Sequence, residues 1–307
     1  MRYWCTLAIS ICAVPQAAEA QEASSLPPVF DIHFHAALRP GTVESTMAEL
    51  EARLALMDSL NVRGALLTGV PDVLFAWSDG HSDRLIPALL FPCENGIAPN
   101  WGRPCFPGGR VYPDTAWLRQ EILSKRIAAL GEITSQYLGM TPQDPRLEPY
   151  LNLAEEFDIP VAIHMGLGPP GAAYQVSPAD VKSPNFRATA GDPLLLEEVL
   201  LRHRRLRVIV MHAGWPMADE MVYLLYQHPQ VYVDVAVLQW AIPRAEFYGY
   251  LRRLVEAGYG ERIMFGSDGG ASALRDGITA ILNADFLTEQ QKRDILYNNA
   301  VRFLRLQ

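Results

Sequence analysis

The chain of 307 residues is 50% hydrophobic and 20% charged, a composition typical of soluble globular proteins with a large core. Acidic residues outnumber basic ones by 34 to 26, which gives a formal charge of −8, and no long basic stripe occurs. This charge pattern argues against nucleic acid as a partner.

The first twenty residues are expected to be a secretory signal peptide, followed by a linker over 21–28. A short apolar run from Trp4 to Val14 follows a weakly positive start, and Ala18-Glu19-Ala20 has the small-x-small form of a cleavage site. The run is too short to span a bilayer, and no later segment reaches that length. We therefore expect a periplasmic or secreted protein that is free of the membrane once the signal is removed; the alternative is an N-terminal core helix.

Short β-rich runs then alternate with helical patterns over a single domain, residues 29–307. The predicted strands are 29–34, 62–69, 84–91, 130–136, 160–165, 207–213, 231–237 and 262–267. The predicted helices include 43–60, 145–157 after the Asp144-Pro145 cap, one opened by Asp192-Pro193, and a last one capped by Thr288 with Gln291.

Eight near-continuous apolar strands that alternate with helices predict parallel βαβ units in a sheet buried on both faces. Their number and the chain length match an α/β fold of the (β/α)8 TIM-barrel type. An open doubly wound sheet is the alternative, but no Gly-x-Gly-x-x-Gly turn follows the first strand.

Two cysteines, Cys93 and Cys105, remain after removal of the signal. They bracket the Gly/Pro-rich loop "CENGIAPNWGRPC" that follows the third strand. In an oxidising compartment this spacing predicts a disulfide; the alternative is two free buried thiols.

Polar residues gather at the ends of the predicted strands, and in a TIM barrel the carboxyl ends carry the chemistry. His33 and His35 lie one residue apart in "VFDIHFHAAL", so they share one face of the first strand. The other candidates are Glu132 close to the start of the fourth strand, His164 and His212 at the ends of the fifth and sixth, and Asp268 at the end of the eighth. Any one of these taken alone is more often structural, and Asp268 can equally cap a helix. Four histidines at equivalent strand ends are an improbable accident.

Neutral imidazoles combined with carboxylates suit zinc, manganese, iron or nickel better than calcium. Six ligands exceed the need of one tetrahedral ion, and a bridging carboxylate would let two ions share the site. Asp234 lies within the seventh strand, where it either approaches this site or satisfies a buried backbone group.

The ordered motifs "DIHFH", "GEI", "IHMG", "MHAGWP" and "FGSD", with the closing "NNAVRFL", resemble the amidohydrolase superfamily and, more narrowly, the amidohydrolase-2 family of metal-dependent TIM-barrel hydrolases. The resemblance implies that His33 and His35, with Asp268 beside them, bind a first metal ion. It implies that His164 and His212 bind a second ion in two-metal members. Glu132 matches the fourth-strand carboxylate that bridges two ions in related members, whereas one-metal decarboxylases of the family often lack a ligand there.

The resemblance further implies a divalent metal cofactor, expected to be one or two Zn²⁺, with Mn²⁺, Fe²⁺ or Ni²⁺ as alternatives. Asp268 is the expected proton acceptor for an attacking water, and His212 or a second ion would polarise the substrate carbonyl. Substrate contacts are expected from the long loops on the same face. The candidates are Arg103, Arg110, Tyr174 and Arg187, with Trp215 as a pocket wall or merely part of a packed turn.

Three functions follow as hypotheses, each with a small-molecule partner and, because dimers are common in the family, room for a homodimer. The first is a hydrolase that uses metal-activated water on an amide, cyclic amide, ester or lactone. The second is a one-metal decarboxylase of aromatic or unsaturated acids. The third is a barrel that binds a metal or small molecule without catalysis.

Overall fold

The computed structural model describes residues 26–37, 43–93, 105–174 and 183–306. The predicted signal peptide, most of the predicted linker and Arg103 lie outside the described residues.

The described residues form eight parallel strands whose spatial order is their order in the chain. The strands are β1 (Val29–His35), β2 (Val62–Gly69), β3 (Leu85–Phe91), β4 (Ala129–Ile133), β5 (Val161–His164), β6 (Val208–Met211), β7 (Val231–Asp234) and β8 (Ile263–Met264). All eight fall within the predicted strands to within one residue, and most are shorter than predicted.

Helices connect the strands and cover the outside of the sheet. They are α1 (Val43–Ser59), α2 (Pro71–Ser78), α3 (Thr115–Leu123), α4 (Glu148–Glu156), α5 (Glu197–Arg202), α6 (Ala218–Gln227), α7 (Leu238–Ala241), α8 (Arg244–Leu254), α9 (Ala271–Leu282), α10 (Glu289–Arg293) and α11 (Asn299–Leu304). This arrangement confirms the predicted TIM barrel. Among the described helices, none has both the length and the apolarity that a membrane crossing requires.

Two of the predicted helix starts are confirmed, and a third helix begins later than predicted. Thr288 and Gln291 form a reciprocal capping box at the start of α10, and Asp192 accepts a hydrogen bond from Leu194 N just inside the next helical turn. At the third place the helix α4 begins at Glu148 rather than 145, because Asp144 caps a turn by accepting a hydrogen bond from Arg146 N.

The barrel closes between its first strand and the segment that follows its last. Ile32 N donates to Phe265 O at 2.9 Å, and Asp268 N donates to His33 O at 2.8 Å. Gly266 permits this approach, since a Cβ at that position would lie 2.6 Å from Cβ of His33. The closure brings the first and last predicted ligands together.

Two apolar clusters form the core of the described residues. The larger lies between the strands and the surrounding helices. The smaller fills the barrel interior, with Phe30, Ile32 and Met264, and is closed at the amino-terminal end by Phe303 of α11, which packs 4.7 Å from the ring of Tyr232. In TIM barrels the carboxyl ends of the strands carry the chemistry, so this is the end where the site is expected.

A disulfide joins Cys93 and Cys105, whose Cα atoms lie 5.8 Å apart, as predicted. Both residues are buried in the larger apolar cluster, directly after β3. Beside them Cys93 N donates to Val111 O, so the base of the loop is fixed by the backbone as well.

Replacement of both cysteines with serine is expected to lower the free energy of unfolding by about 3 kcal/mol, because the unfolded chain regains the entropy of the bridged loop. Urea unfolding of the parent and the double variant, each with and without reductant, measures this. Reductant should lower the midpoint of the parent to that of the variant and leave the variant unchanged. Identical midpoints for oxidised and reduced parent would contradict the expectation.

Candidate metal centre

Four histidines and two carboxylates converge at the carboxyl end of the barrel. Nε2 of His33 lies 3.2 Å from Nε2 of His35, and Oδ1 of Asp268 lies 3.6 Å and 3.0 Å from these two nitrogens. Three overlapping groups can each hold a metal ion, with ligand atoms within 4.8 Å of one another: His33, His212 and Asp268; His33, His35 and Glu132; and Glu132, His164 and His212. All six predicted ligands thus occur in one cluster.

An irregularity in β1 directs its histidines into the barrel. The register with β2 shifts between Asp31 and Phe34. Ile32 within the shifted stretch packs in the interior cluster, and Phe34 at its end packs in the cluster between the strands and the helices. Irregularities of this kind reorient side chains next to active sites. His33 and His35 consequently share the polar end of the interior, as their spacing predicts.

Glu132 lies at the carboxyl end of β4, not close to its start. The strand spans Ala129–Ile133, and its register with β5 shifts between Leu130 and Ile133. Gly131 makes room for the approach of the two strands, because a Cβ there would lie 2.7 Å from Cβ of Ala162 and its φ is +153°. The sequence-based boundary was wrong because the chain turns into a short helical segment directly after the strand.

Three of the four histidines are oriented through Nδ1 by an oxygen acceptor, which leaves Nε2 to face the cluster. His33 Nδ1 lies 3.2 Å from Oδ2 of Asp234, and His212 Nδ1 lies 3.1 Å from the carbonyl oxygen of Ala236. His164 Nδ1 lies 3.0 Å from Oε1 of Gln136. An Nδ1–H that donates to each oxygen fixes the tautomer in which Nε2 carries the lone pair, as metal-binding histidines require.

Asp234 performs both of the roles that the sequence left open. Its Oδ1 accepts hydrogen bonds from the backbone N of His212 and of Ala236, at 3.0 and 2.9 Å, while its Oδ2 faces His33. The side chain is fully buried. A single carboxylate therefore positions parts of β1, β6 and β7 relative to one another.

The electrostatics of the cluster favour a bound cation. Burial lowers the pKa of His33, but the carboxylates of Asp268, Asp234 and Glu132 outweigh this and raise it to about 10. Burial raises the pKa of Asp268, yet the neighbouring imidazoles of His33 and His35 hold it below its usual range. Burial also lowers the pKa of His164 to about 3, which keeps this ring neutral and able to act as a ligand. The excess of buried carboxylate charge is thus balanced by protons unless a cation replaces them.

Glu132 lies between two sets of histidines. Its Oε2 is 3.4 Å from Nε2 of His35 and 3.9 Å from Nε2 of His33, whereas its Oε1 is 3.9 Å from Nε2 of His164. Burial raises the pKa of Glu132, but its bond with His35 and the charges of the histidines lower it to about 2. One carboxylate oxygen therefore faces His33 and His35 and the other faces His164, which fits a ligand shared by two ions.

The donor set as a whole fits a divalent transition metal. It consists of imidazole nitrogens and carboxylate oxygens, with three of the four imidazoles fixed by acceptors outside the cluster. The Nε2 atoms of His33 and His35 face each other at 3.2 Å, a contact that needs a shared proton or a cation.

The sequence model of the family described as "Amidohydrolase" (amidohydrolase-2) matches residues 115–306. The chain belongs to the amidohydrolase-2 family. No curated protein gives a significant match.

Solved amidohydrolase-type barrels share the fold at low sequence identity. A manganese complex of 5-carboxyvanillate decarboxylase from Novosphingobium aromaticivorans is 15% identical, with a TM-score of 0.58 over 93% of this chain and 97% of that chain. A probable 2-pyrone-4,6-dicarboxylic acid hydrolase from Acinetobacter baumannii is 14% identical, with a TM-score of 0.59 over 91% and 99%. Dihydroorotase from Campylobacter jejuni is 16% identical, with a TM-score of 0.57 over 92% and 84%. The family contains metal-dependent hydrolases and decarboxylases, and these comparisons support one or the other for this amidohydrolase.

The structure describes four of the five predicted substrate residues, and their contact with substrate stays a prediction. Arg110 is exposed and pairs with Asp114 at the start of α3, and Tyr174 is 80% exposed. Arg187 is exposed and donates to the carbonyls of Pro184 and Phe186, and Trp215 donates through Nε1 to Glu246 of α8. Loop residues of this kind carry no periodic pattern that predicts where their side chains point.

Sequence reasoning missed Gln136 and Tyr137, which follow β4 in a short helical turn, Ser135–Leu138. The Tyr137 ring packs 4.6 Å from that of His164 and 5.5 Å from that of Phe186. Burial, together with the charges of Glu132 and Asp268, raises the pKa of Tyr137 well above its usual value, so the phenol stays a hydrogen-bond donor. The available signal was the polar run after "GEI", which lies at the same barrel edge as the ligands.

Proposed function

We propose that this amidohydrolase-2 protein is a two-metal hydrolase that acts on a C–N bond of an amide or cyclic amide, or on an ester or lactone. The observation that carries the proposal is the position of Glu132, whose Oε2 faces His33 and His35 and whose Oε1 faces His164. His33, His35 and Asp268 would hold one ion, His164 and His212 the other, with Glu132 shared. The resemblance implies that one-metal decarboxylases often lack a ligand at this point, so Glu132 favours the two-metal hydrolase.

Divalent ions held here would lower the pKa of a bound water toward 7 and so supply a nucleophile at neutral pH. Asp268 is the residue best suited to accept the proton of that water and to return it to the leaving group. Its side chain is 20% exposed, whereas that of Glu132 is 4% exposed, so Asp268 is the carboxylate that solvent and substrate reach. Its lowered pKa keeps it ionised in the resting state.

His212 is better suited to bind a metal than to donate to a substrate carbonyl. Its Nδ1 lies against the carbonyl of Ala236, so the proton sits on that nitrogen and Nε2 carries the lone pair. Polarisation of the carbonyl would then fall to the second ion, with the phenol of Tyr137 as a nearby donor.

The second candidate function is decarboxylation of an aromatic or unsaturated acid with one metal, which the solved decarboxylases of this fold favour. The decarboxylase and the hydrolase differ in the number of metal ions that each is expected to bind. A barrel that binds without catalysis is the third candidate, and the presence of all six ligands in one cluster argues against it.

We further propose that the mature protein is periplasmic or secreted and acts free of the membrane. A homodimer is compatible with this proposal. The N-terminal sequence supports export, as does the buried disulfide, since such bonds persist in oxidising compartments.

Metal analysis of the purified mature protein tests the proposal. The parent should bind two ions of Zn²⁺ or Mn²⁺ per chain, and Glu132→Gln should bind one, because the amide cannot serve as an anionic ligand to both. The matched control is Glu155→Gln, which alters another glutamate paired with a histidine, His203, outside the cluster. One ion in both the parent and Glu132→Gln would favour the decarboxylase.

A substrate screen with amides, lactones, esters and aromatic acids completes the test. Hydrolysis should be lost on treatment with a chelator and restored by the metal. Release of carbon dioxide from an acid, with no hydrolysis of the other classes, would overturn the proposal.

A further inference from the structure

A single buried glutamine connects the metal cluster to the chain that follows β5. Gln136 accepts through Oε1 at 3.0 Å from Nδ1 of His164, and it donates through Nε2 to the carbonyls of Gly166 and Arg187, at 2.9 and 3.3 Å. The side chain is 1% exposed. All three partners of its amide are therefore protein groups.

The surroundings fix which way the amide faces. Two carbonyl oxygens lie on one side, so the nitrogen must face them, and the oxygen is left to face His164. Gly191 packs directly on the amide, because a Cβ at that position would lie 2.5 Å from Nε2 of Gln136. The glutamine consequently cannot turn, and His164 must carry its proton on Nδ1 and its lone pair on Nε2.

The groups that accept a hydrogen bond from Nδ1 of the three oriented histidines differ in charge. His33 has the carboxylate of Asp234 on Nδ1, whereas His164 and His212 have the neutral oxygens of Gln136 and Ala236. A carboxylate partner makes an imidazole a stronger ligand than a neutral partner does. The subsite of His164 and His212 is thus the weaker of the two and depends more on correct orientation of its rings.

The same amide also ties that subsite to the substrate side of the barrel. Gly166 directly follows "IHM" at the end of β5, and Arg187 lies in the segment that returns toward α5. A change at Gln136 therefore alters both the ring of His164 and the backbone to which Arg187 belongs.

We infer that Gln136 is a positioning residue that holds His164 in its ligating tautomer, sets the affinity of the second metal subsite, and couples that subsite to the backbone at Gly166 and Arg187. This inference rests on the proposed two-metal function. Gln136 acts through His164 and is not itself a ligand.

The first test titrates Zn²⁺ into metal-free protein and measures both binding constants against a competing chelator. Gln136→Met has the same length but no hydrogen bonds, and its affinity for the second ion should fall about 10- to 100-fold while the first stays unchanged. Gln136→Glu keeps an acceptor for His164 and loses both N–H donors. It should retain the second ion, since its carboxylate still accepts from His164, and raise KM, because its other oxygen repels the carbonyls of Gly166 and Arg187.

The matched control is Gln143→Met, since Gln143 holds a loop carbonyl, that of Leu195, at the exposed surface and touches no ligand. It should bind both ions as the parent does. Parent-like affinity for both ions in Gln136→Met would overturn the inference.

The second test needs no metal and separates the inference from the proposed function. Nitrogen-15 NMR of the histidine rings in metal-free protein should give a single His164 tautomer, protonated on Nδ1, in the parent and a mixture in Gln136→Met. Binding of only one ion by the parent would reject the two-metal function but leave this result to stand. An unchanged His164 tautomer in Gln136→Met would reject the inference whatever the metal count.

Discussion

Replacement of Asp268 with asparagine is expected to lower turnover by about 10²- to 10⁴-fold, the range that general acid–base catalysis contributes. The amide cannot accept the proton of the attacking water or return it to the leaving group. Most of the metal should remain, because His33 and His35 still offer their Nε2 atoms and Glu132 its carboxylate. The fold should also remain, since the backbone N of Asp268 still donates to His33 O.

The measurements are kcat and KM on a substrate found in the screen, metal content and thermal unfolding. The matched control is Asp276→Asn in α9, an exposed position outside the cluster, which should change none of them. Saturating metal should not restore turnover in Asp268→Asn, because the defect is in proton transfer. Undiminished turnover with full metal content would remove Asp268 from the mechanism.

The position of Asp268 also decides between its two sequence-based roles. The helix α9 begins at Ala271 with Gly270 as its N-cap and no side-chain cap, so Asp268 is not the capping residue. Its φ of +44° and its backbone bond to His33 hold it at the barrel closure instead.

The metal ligands could be predicted from the sequence because parallel strands bring their carboxyl ends to one edge. Once the strand order was known, His33, His164 and His212 had to meet, whatever the loops did. The register shifts in β1 and β4 were not predictable, since they depend on contacts with neighbouring strands. Glu132 was expected near the start of its strand for another reason: the predicted strand, 130–136, included the short helical turn that follows Ile133.

The residues that orient the ligands were harder to predict for a different reason. Gln136 lies in a short helical turn with no periodic pattern, and its role depends on carbonyls thirty and fifty-one residues away. Asp234 did give a signal, a lone acid within the apolar run "VYVDVAV", because a buried carboxylate needs partners. The sequence left its partners open, since they lie on β1 and after β6.

The substrate contacts could not be predicted because long loops adopt conformations that local sequence does not determine. Arg110 and Arg187 have acceptors in their own loops, Asp114 and the Pro184 carbonyl, rather than in the cluster. Tyr137 and Phe186, which pack together beside His164, come from different segments of the chain.

Replacement of Asp234 with asparagine should weaken metal binding by about 10- to 100-fold, the usual cost of losing an acceptor behind a ligating histidine. The amide oxygen can still accept hydrogen bonds from His212 N and Ala236 N, so the backbone conformation at these residues should stay unchanged. The amide nitrogen then faces Nδ1 of His33, where it can only donate. His33 must present a lone pair on Nδ1 and carry its proton on Nε2, the atom that faces His35 at 3.2 Å.

A protonated Nε2 cannot bind a metal, so Asp234→Asn should lose the ion near His33 and lose activity with it. Metal titration of the metal-free protein and kcat at rising metal concentration measure the effect, with the exposed Asp219→Asn as the control. Excess metal should restore part of the activity, because binding energy can force His33 back to its other tautomer. This rescue distinguishes Asp234→Asn from Asp268→Asn, and its absence, with metal affinity unchanged, would show that Asp234 serves the backbone alone.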